Sequence, residues 1–265
     1  MSANAYPWPL NVESPRYLSR RFTEQHIDLD INFDMPRVDL VTTILANCLL
    51  QVDGNMVDAE LVWDLSVAER LQGLLAIAHA SVGASTTAVA ICNNEECRGD
   101  IELELGLSSF ATERPAKINW LSPDNESVYC RLPTGNDQRA WQKHQLAQGH
   151  ADEAWLANQL VERIDDSPPS VLPETWLEPL GAALEAADPL TALSIDTTCP
   201  FCGKLLCVEV DLELLLIEGL RSKQRNLLEQ IHRLASRYHW SEADIIAIPY
   251  WRRQRYLSRL AAEVE

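Results

Sequence analysis

The sequence predicts an α+β fold: a small zinc-ribbon-like antiparallel sheet from two cysteine knuckles, surrounded by helices, with a C-terminal helical extension. Two observations carry most of this. Two close cysteine pairs, Cys92/Cys97 and Cys199/Cys202, each follow a strand-like segment and precede an alternating acidic strand, IELEL at 101–105 and VEVDL at 208–212. Elsewhere apolar residues recur at helical spacing, as in 38–50 and along the segment after residue 212.

Taken in order, HIDLDINF (26–33) alternates apolar and polar residues as a half-buried strand would. VDLVTTILANCLL (38–50) reads as a helix. Ser66 and Glu69 fit a capping box that opens a helix running through His79, with Gly83 as its stop. TTAVAIC (86–92) and DIELELGL (100–107) read as strands joined by the turn CNNEEC. AKINWLS (116–122) and SVYCRL (127–132) add two more. Helical periodicity returns from 137 to 163, with Trp141, Leu146, Trp155 and Leu160 as core contacts. The prolines of DDSPPSVLP (165–173) mark a linker. A short helix (176–187), a strand ending at Cys199, and the strand after CPFCG lead into a long helix to about residue 237. Ser241 starts a short helix with Asp244 as its acidic third residue, and Pro249 suits the first position of the last helix.

Composition narrows the function. The 265 residues are 46% hydrophobic and 23% charged, ordinary for a globular chain, and no apolar run approaches the roughly 20 residues a membrane helix needs. The N-terminus lacks a basic start followed by an apolar stretch, so the expectation is cytoplasmic, without membrane insertion. Net charge is −17, yet from Arg221 onward nine Lys or Arg face five Asp or Glu. An acidic body repels phosphates, which argues against nucleic acid; a basic terminal element on such a body suits a protein partner.

The cysteines carry the chemistry. A structural zinc takes four thiolates at tetrahedral corners, and a tight turn between strands presents two of them. Cys199-Pro200-Phe201-Cys202-Gly203 has that form, with Gly203 free to take the positive φ such a turn needs; Cys92-x4-Cys97 is a looser version. Zn2+ held by Cys92, Cys97, Cys199 and Cys202 would leave no open position for water, so it would be structural rather than catalytic. A redox role for Cys199-x2-Cys202 would require a helix just after the first cysteine, but KLLCVEV reads as strand. Cys48, Cys130 and Cys207 sit in apolar patterns as core residues, the last two in reserve as ligands. Neither a P-loop nor a dinucleotide fingerprint occurs. His232 and His239 flank a helix end, and Asp165 and Asp166 lie in a linker, so neither pair marks catalysis. The expectation is no enzyme and no small-molecule substrate.

The segment LLEQIHRLASRYHWSEADIIAIPYWRRQRYLSRL (227–260) resembles the closing signature of the T-even-phage-type baseplate hub family of contractile phage tails and phage-tail-like injection systems. The matching positions are Ile231, His232, Leu234, Ala235, Tyr238, Trp240, Ser241, Glu242, Pro249, Arg252, Arg253, Tyr256 and Leu257. AERLQGLLAIAHASVG (68–83) and DPLTALSIDTTCPFCG (188–203) are similar to upstream segments of that family, so the likeness spans about residues 36–262. The first cysteine pair is wider here, and Ala78-His79 stands where the family carries an arginine. The resemblance implies a structural or assembly role in a baseplate hub, with hub or tube proteins as partners, in the cytoplasm where particles assemble and compatible with retention in them. Tyr250, Trp251, Arg252, Arg253, Arg255 and Tyr256 are the candidate contact residues, since aromatics and arginine dominate interface energies. The alternative is a zinc-ribbon regulator that binds nucleic acid through the short helix, turn and Arg-rich helix. The expected division is an arm (1–35), a zinc-ribbon body (36–212) with a helical insertion (137–187), and a C-terminal helical segment (213–265).

Overall fold

The structure, a computed structural model, describes residues 6–8, 16–111, 117–150 and 152–262. Its elements are β1 (Tyr6–Trp8), β2 (Tyr17–Ser19), a 3-10 turn (His26–Leu29), α1 (Arg37–Cys48), β3 (Leu49–Leu50), α2 (Ala59–Asp64), α3 (Val67–Ser81), β4 (Ser85–Ile91) and β5 (Asp100–Gly106). After a second 3-10 turn come β6 (Lys117–Leu121), β7 (Ser127–Arg131), α4 (Gly135–Gln148), α5 (Glu153–Leu160), β8 (Val161–Ile164) and α6 (Glu174–Ala187). The chain closes with β9 (Ser194–Thr198), β10 (Leu205–Glu209), α7 (Leu212–Tyr238), α8 (Glu242–Ala247) and α9 (Tyr250–Ala262). This is a mixed fold of helices and small antiparallel sheets, as the sequence predicts. The two knuckle hairpins differ from expectation in one respect: β4–β5 and β9–β10 are separate two-stranded sheets, each paired only within itself.

The main core forms where α1, α3 and α7 cross. Ile44, Leu45, Leu74, Leu75, Ile77 and Leu220 are fully buried there. Tyr17, Phe22, Ile31 and Phe33, from the segment read as an N-terminal arm, belong to the same cluster. A second cluster, with Val128, Cys130, Val161, Trp176 and Leu180, lies under β6–β8 and α6; a third joins α7 to α8 and α9. The predicted capping box forms: Ser66 Oγ accepts from the Glu69 amide, and the Glu69 carboxylate accepts from the Ser66 amide. Gly83 ends that helix with φ +142°. Among the described residues, no helix is long and apolar enough to cross a membrane.

Three sequence expectations give way to local chemistry. Residues 26–29 turn as a 3-10 helix instead of extending as strand. Asp28 is wholly buried there, pairs with Arg20 through two hydrogen bonds (2.6 and 2.8 Å), and accepts from the amides of Thr23 and Gln25. Gln224 of α7 donates to the carbonyls of Asp28 and Ile31 and fixes this turn to the core. A buried carboxylate is tolerable only when so paired, and alternating apolarity cannot foresee that pairing. The helix expected over 137–163 is likewise two helices and a strand. Gly149 closes α4 in a left-handed conformation, Asp152 caps α5, and residues 161–164 pair with β7. Leu146, expected in the core, is 81% exposed. Pro249 stands just ahead of α9, accepting from the amides of Arg252 and Arg253, rather than in its first position.

Candidate metal centre and C-terminal face

Each cysteine pair sits on the turn of a hairpin because the flanking strands pair in register up to the first cysteine. Ile91 pairs with Asp100 and Thr198 with Leu205, so Cys92 and Cys199 lie one residue beyond their ladders. In the second knuckle the Cys199 amide donates to the Lys204 carbonyl (2.9 Å) and the Gly203 amide to the Cys199 carbonyl (2.9 Å). In the first, the Cys92 amide donates to the Gly99 carbonyl (3.0 Å), while those of Cys97 and Arg98 donate to the Asn94 carbonyl (3.0 Å each). Gly203 has φ +74° and Arg98 φ +48°. The knuckles face each other across a small core of Ile101, Leu206 and the flanking cysteines, with Leu103 and Val208 beside it.

The four sulfurs all lie within 4.8 Å of one another. Cys92 Sγ is 3.7 Å from Cys202 Sγ, and Cys97 Sγ is 3.8 Å from Cys199 Sγ. A disulfide would need about 2.05 Å. Four thiolates bound at about 2.3 Å at the corners of a tetrahedron stand about 3.8 Å apart. The donor set and spacing therefore suit a tetrahedral soft metal ion, and the four predicted cysteines come together as expected. Cys48 is buried in the main core and Cys130 in the second cluster; Cys207 is exposed. None of these three joins the group.

Backbone amides tune these thiols unequally. The Lys204 amide, working against burial and with help from Asn94, draws the Cys202 thiol down to about 6. The Asn94 amide lowers Cys92 and the Gly99 amide lowers Cys97, but burial and sharing among the thiols outweigh both. Cys92 rises above its ordinary value, and Cys97 is pushed up to about 11. Four thiols this close cannot all ionise without a cation among them, so metal capture would release protons. The outer face of β5 is acidic, with Asp100, Glu102 and Glu104 all exposed.

The six candidate contact residues divide between surface and interior. Tyr250 and Trp251 are 64% and 60% exposed, and the Arg255 guanidinium stands 5.3 Å from the Trp251 ring centre. Arg252 and Arg255 are exposed. Tyr256 turns inward and meets Trp240 edge-on (5.0 Å) and Tyr238 (5.7 Å), while Tyr238 and Trp240 stack at 4.7 Å. Arg253 is 7% exposed and shares the inner face of α9 with Leu257 and Leu260. That spacing of i, i+4 and i+7 is the one sequence signal separating it from its neighbour Arg252. The residues of the closing signature thus form one packed unit in which Ile231, Leu234, Ile245 and Leu257 are buried around the aromatic triad.

The chain matches no protein-family model, no curated protein and no solved structure.

Proposed function

We propose that this chain is a structural or assembly component of the baseplate hub of a contractile phage tail or phage-tail-like injection system, its body pinned by one structural zinc. The observation supporting the reading is that the signature residues of 227–260, short motifs in the sequence, pack as one helical unit and leave Tyr250, Trp251, Arg252 and Arg255 on its surface. Zinc at Cys92, Cys97, Cys199 and Cys202 would hold the two hairpins rigid; all four positions would be filled by protein, leaving no place for a reacting water. The exposed aromatic and arginine pair is of the kind that anchors protein interfaces. The acidic face of β5 disfavours the nucleic-acid alternative, because phosphate binding depends on Lys and Arg displacing counterions.

The test is deletion of the gene in its source and electron microscopy of tail assembly, with tube and sheath proteins still expressed. Loss of assembled baseplates, restored by the wild-type gene but not by a Trp251→Asp/Arg255→Glu variant, is the expected result. Intact particles, together with tight DNA binding by the purified chain that weakens steeply with salt, would replace this reading with the regulator.

A further inference from the structure

A second site lies away from the cysteines, where four segments distant in sequence meet. Residues 21–24, the end of α3, the middle of α7 and the start of α9 enclose a cavity of about 350 Å³. Arg253 lines it. Its Nε and Nη1 are shut off from solvent, and among the described residues no acceptor meets either. Burial pulls this guanidinium below its ordinary value, and the opposing electrostatic influence of Tyr250 does not make up the loss. Lys223 and Arg21 line the same cavity, against a single acid, Glu24. Asn226 and Gln230 add amide groups; Gln230 Nε2 donates to Asn226 Oδ1 (2.8 Å), and among the described residues Gln230 Oε1 has no partner.

Guanidinium nitrogens shut off from water and left without an acceptor are costly, so buried charges are almost always paired. Two other buried guanidinia are better met. Arg20 is bidentate to Asp28; Arg70, with no carboxylate partner, still donates to two carbonyls and to the Thr42 hydroxyl and leaves only its Nε unmet. Arg253 leaves both Nε and Nη1 unmet, and it faces a cavity with two further cations and room for a ligand. Its planar fork matches the paired oxygens of a carboxylate or a phosphate.

We propose that this cavity is an oxyanion site, taking a phosphate or carboxylate group that pairs with the Arg253 guanidinium while Lys223 and Arg21 supply the surrounding positive charge. The group can come from a free phosphate-bearing molecule or from an acidic side chain presented by a partner, and the two differ in shape. The proposal rests on neither the zinc nor the baseplate reading, although Tyr250 borders both the cavity and the exposed face of α9.

Titration calorimetry on the zinc-loaded full chain tests it, at constant ionic strength in chloride, with inorganic phosphate in one arm and glutarate in the other. Saturable one-to-one binding is expected in at least one arm; phosphate alone points to the free ligand, glutarate alone to the side-chain source. Arg253→Met should weaken binding at least tenfold and Lys223→Ala several-fold. Without anion, Arg253→Met should keep or raise thermal stability, since it removes an unpaired charge and keeps the bulk. No saturable binding in either arm, or equal affinity in Arg253→Met, overturns the proposal. Should Arg253→Met fail to fold, unchanged affinity in both Arg253→Lys and Lys223→Ala overturns it as well.

Discussion

Arg98 and Gly203 hold the same place in the two knuckles. Each directly follows the second cysteine of its pair, and each turns the chain through positive φ, +48° and +74° respectively. The two hairpins thus solve one geometric problem with different residues, and only one of the solutions is free of strain.

Arg98→Gly should therefore stabilise the protein. A side chain in the left-handed region costs on the order of 1 kcal/mol, part of which is offset by the greater freedom of glycine in the unfolded chain. The expected gain is about 0.5–1 kcal/mol, read as a rise in Tm of about 1–4 °C with metal stoichiometry unchanged. Gly203→Ala should move Tm the other way by a similar amount.

Metal content gives the second prediction. Elemental analysis should find one zinc per chain, lost with chelator. Because Cys92 and Cys202 are 110 positions apart, zinc closure removes on the order of 4–5 kcal/mol of chain entropy from the unfolded state, by analogy with a cross-link of that span. Cys199→Ser should lose the metal and drop Tm by more than about 10 °C. Cys207→Ser, at an exposed position outside the group, should do neither.

Gly135 is fixed by close approach. A methyl group there would lie 2.5 Å from Arg70 Nη1 and 3.1 Å from the Trp63 carbonyl oxygen. Arg70 cannot step aside, since it holds the carbonyls of Val62 and Val38 and the Thr42 hydroxyl. Gly135→Ala should cost about 2–3 kcal/mol by chemical denaturation; retention of full stability would show that this corner is loosely packed.

Acid should unfold the protein partly through Asp137. Burial raises its carboxyl, but two hydrogen bonds from Arg131 (2.5 and 2.8 Å) and those from Thr134 outweigh it and hold the group below its ordinary 3.8. A carboxylate depressed in the folded state contributes stability that is present above its unfolded value. That stability is lost as pH falls through the folded one. The loss should thus fall below about pH 4. Asp137→Asn should cost about 1 kcal/mol at neutral pH and converge on wild type in acid, in pH-dependent denaturation of the two proteins side by side.

The sequence makes legible what depends on local pattern. Ser66 with Glu69, and Ser241 with Asp244, announce helix starts, and both capping boxes form. The four cysteines are legible because thiols in polar turns have few other uses, and they converge. Long-range pairing is what stays hidden. Nothing near Asp28 in sequence says that Arg20 and Gln224 will satisfy it inside the core, so a turn looks like a strand. Arg98 carries no mark of its left-handed conformation, because arginine is not a residue that advertises one. Val161 and Ile164 continue a helical apolar pattern yet pair with β7, since a register shift between Tyr129 and Cys130 lets two residues three apart both turn inward around exposed Glu162 and Arg163.

The distance along the chain between the two knuckles also sets a clock. At synthesis rates of about 5–20 residues per second, Cys92 and Cys97 are made roughly 5–20 s before Cys202. During that interval the first hairpin can offer a metal only two of its four sulfurs. A chain cut short anywhere before Cys202 never completes the set, so the ion would mark molecules that extend past the second knuckle before any partner meets them.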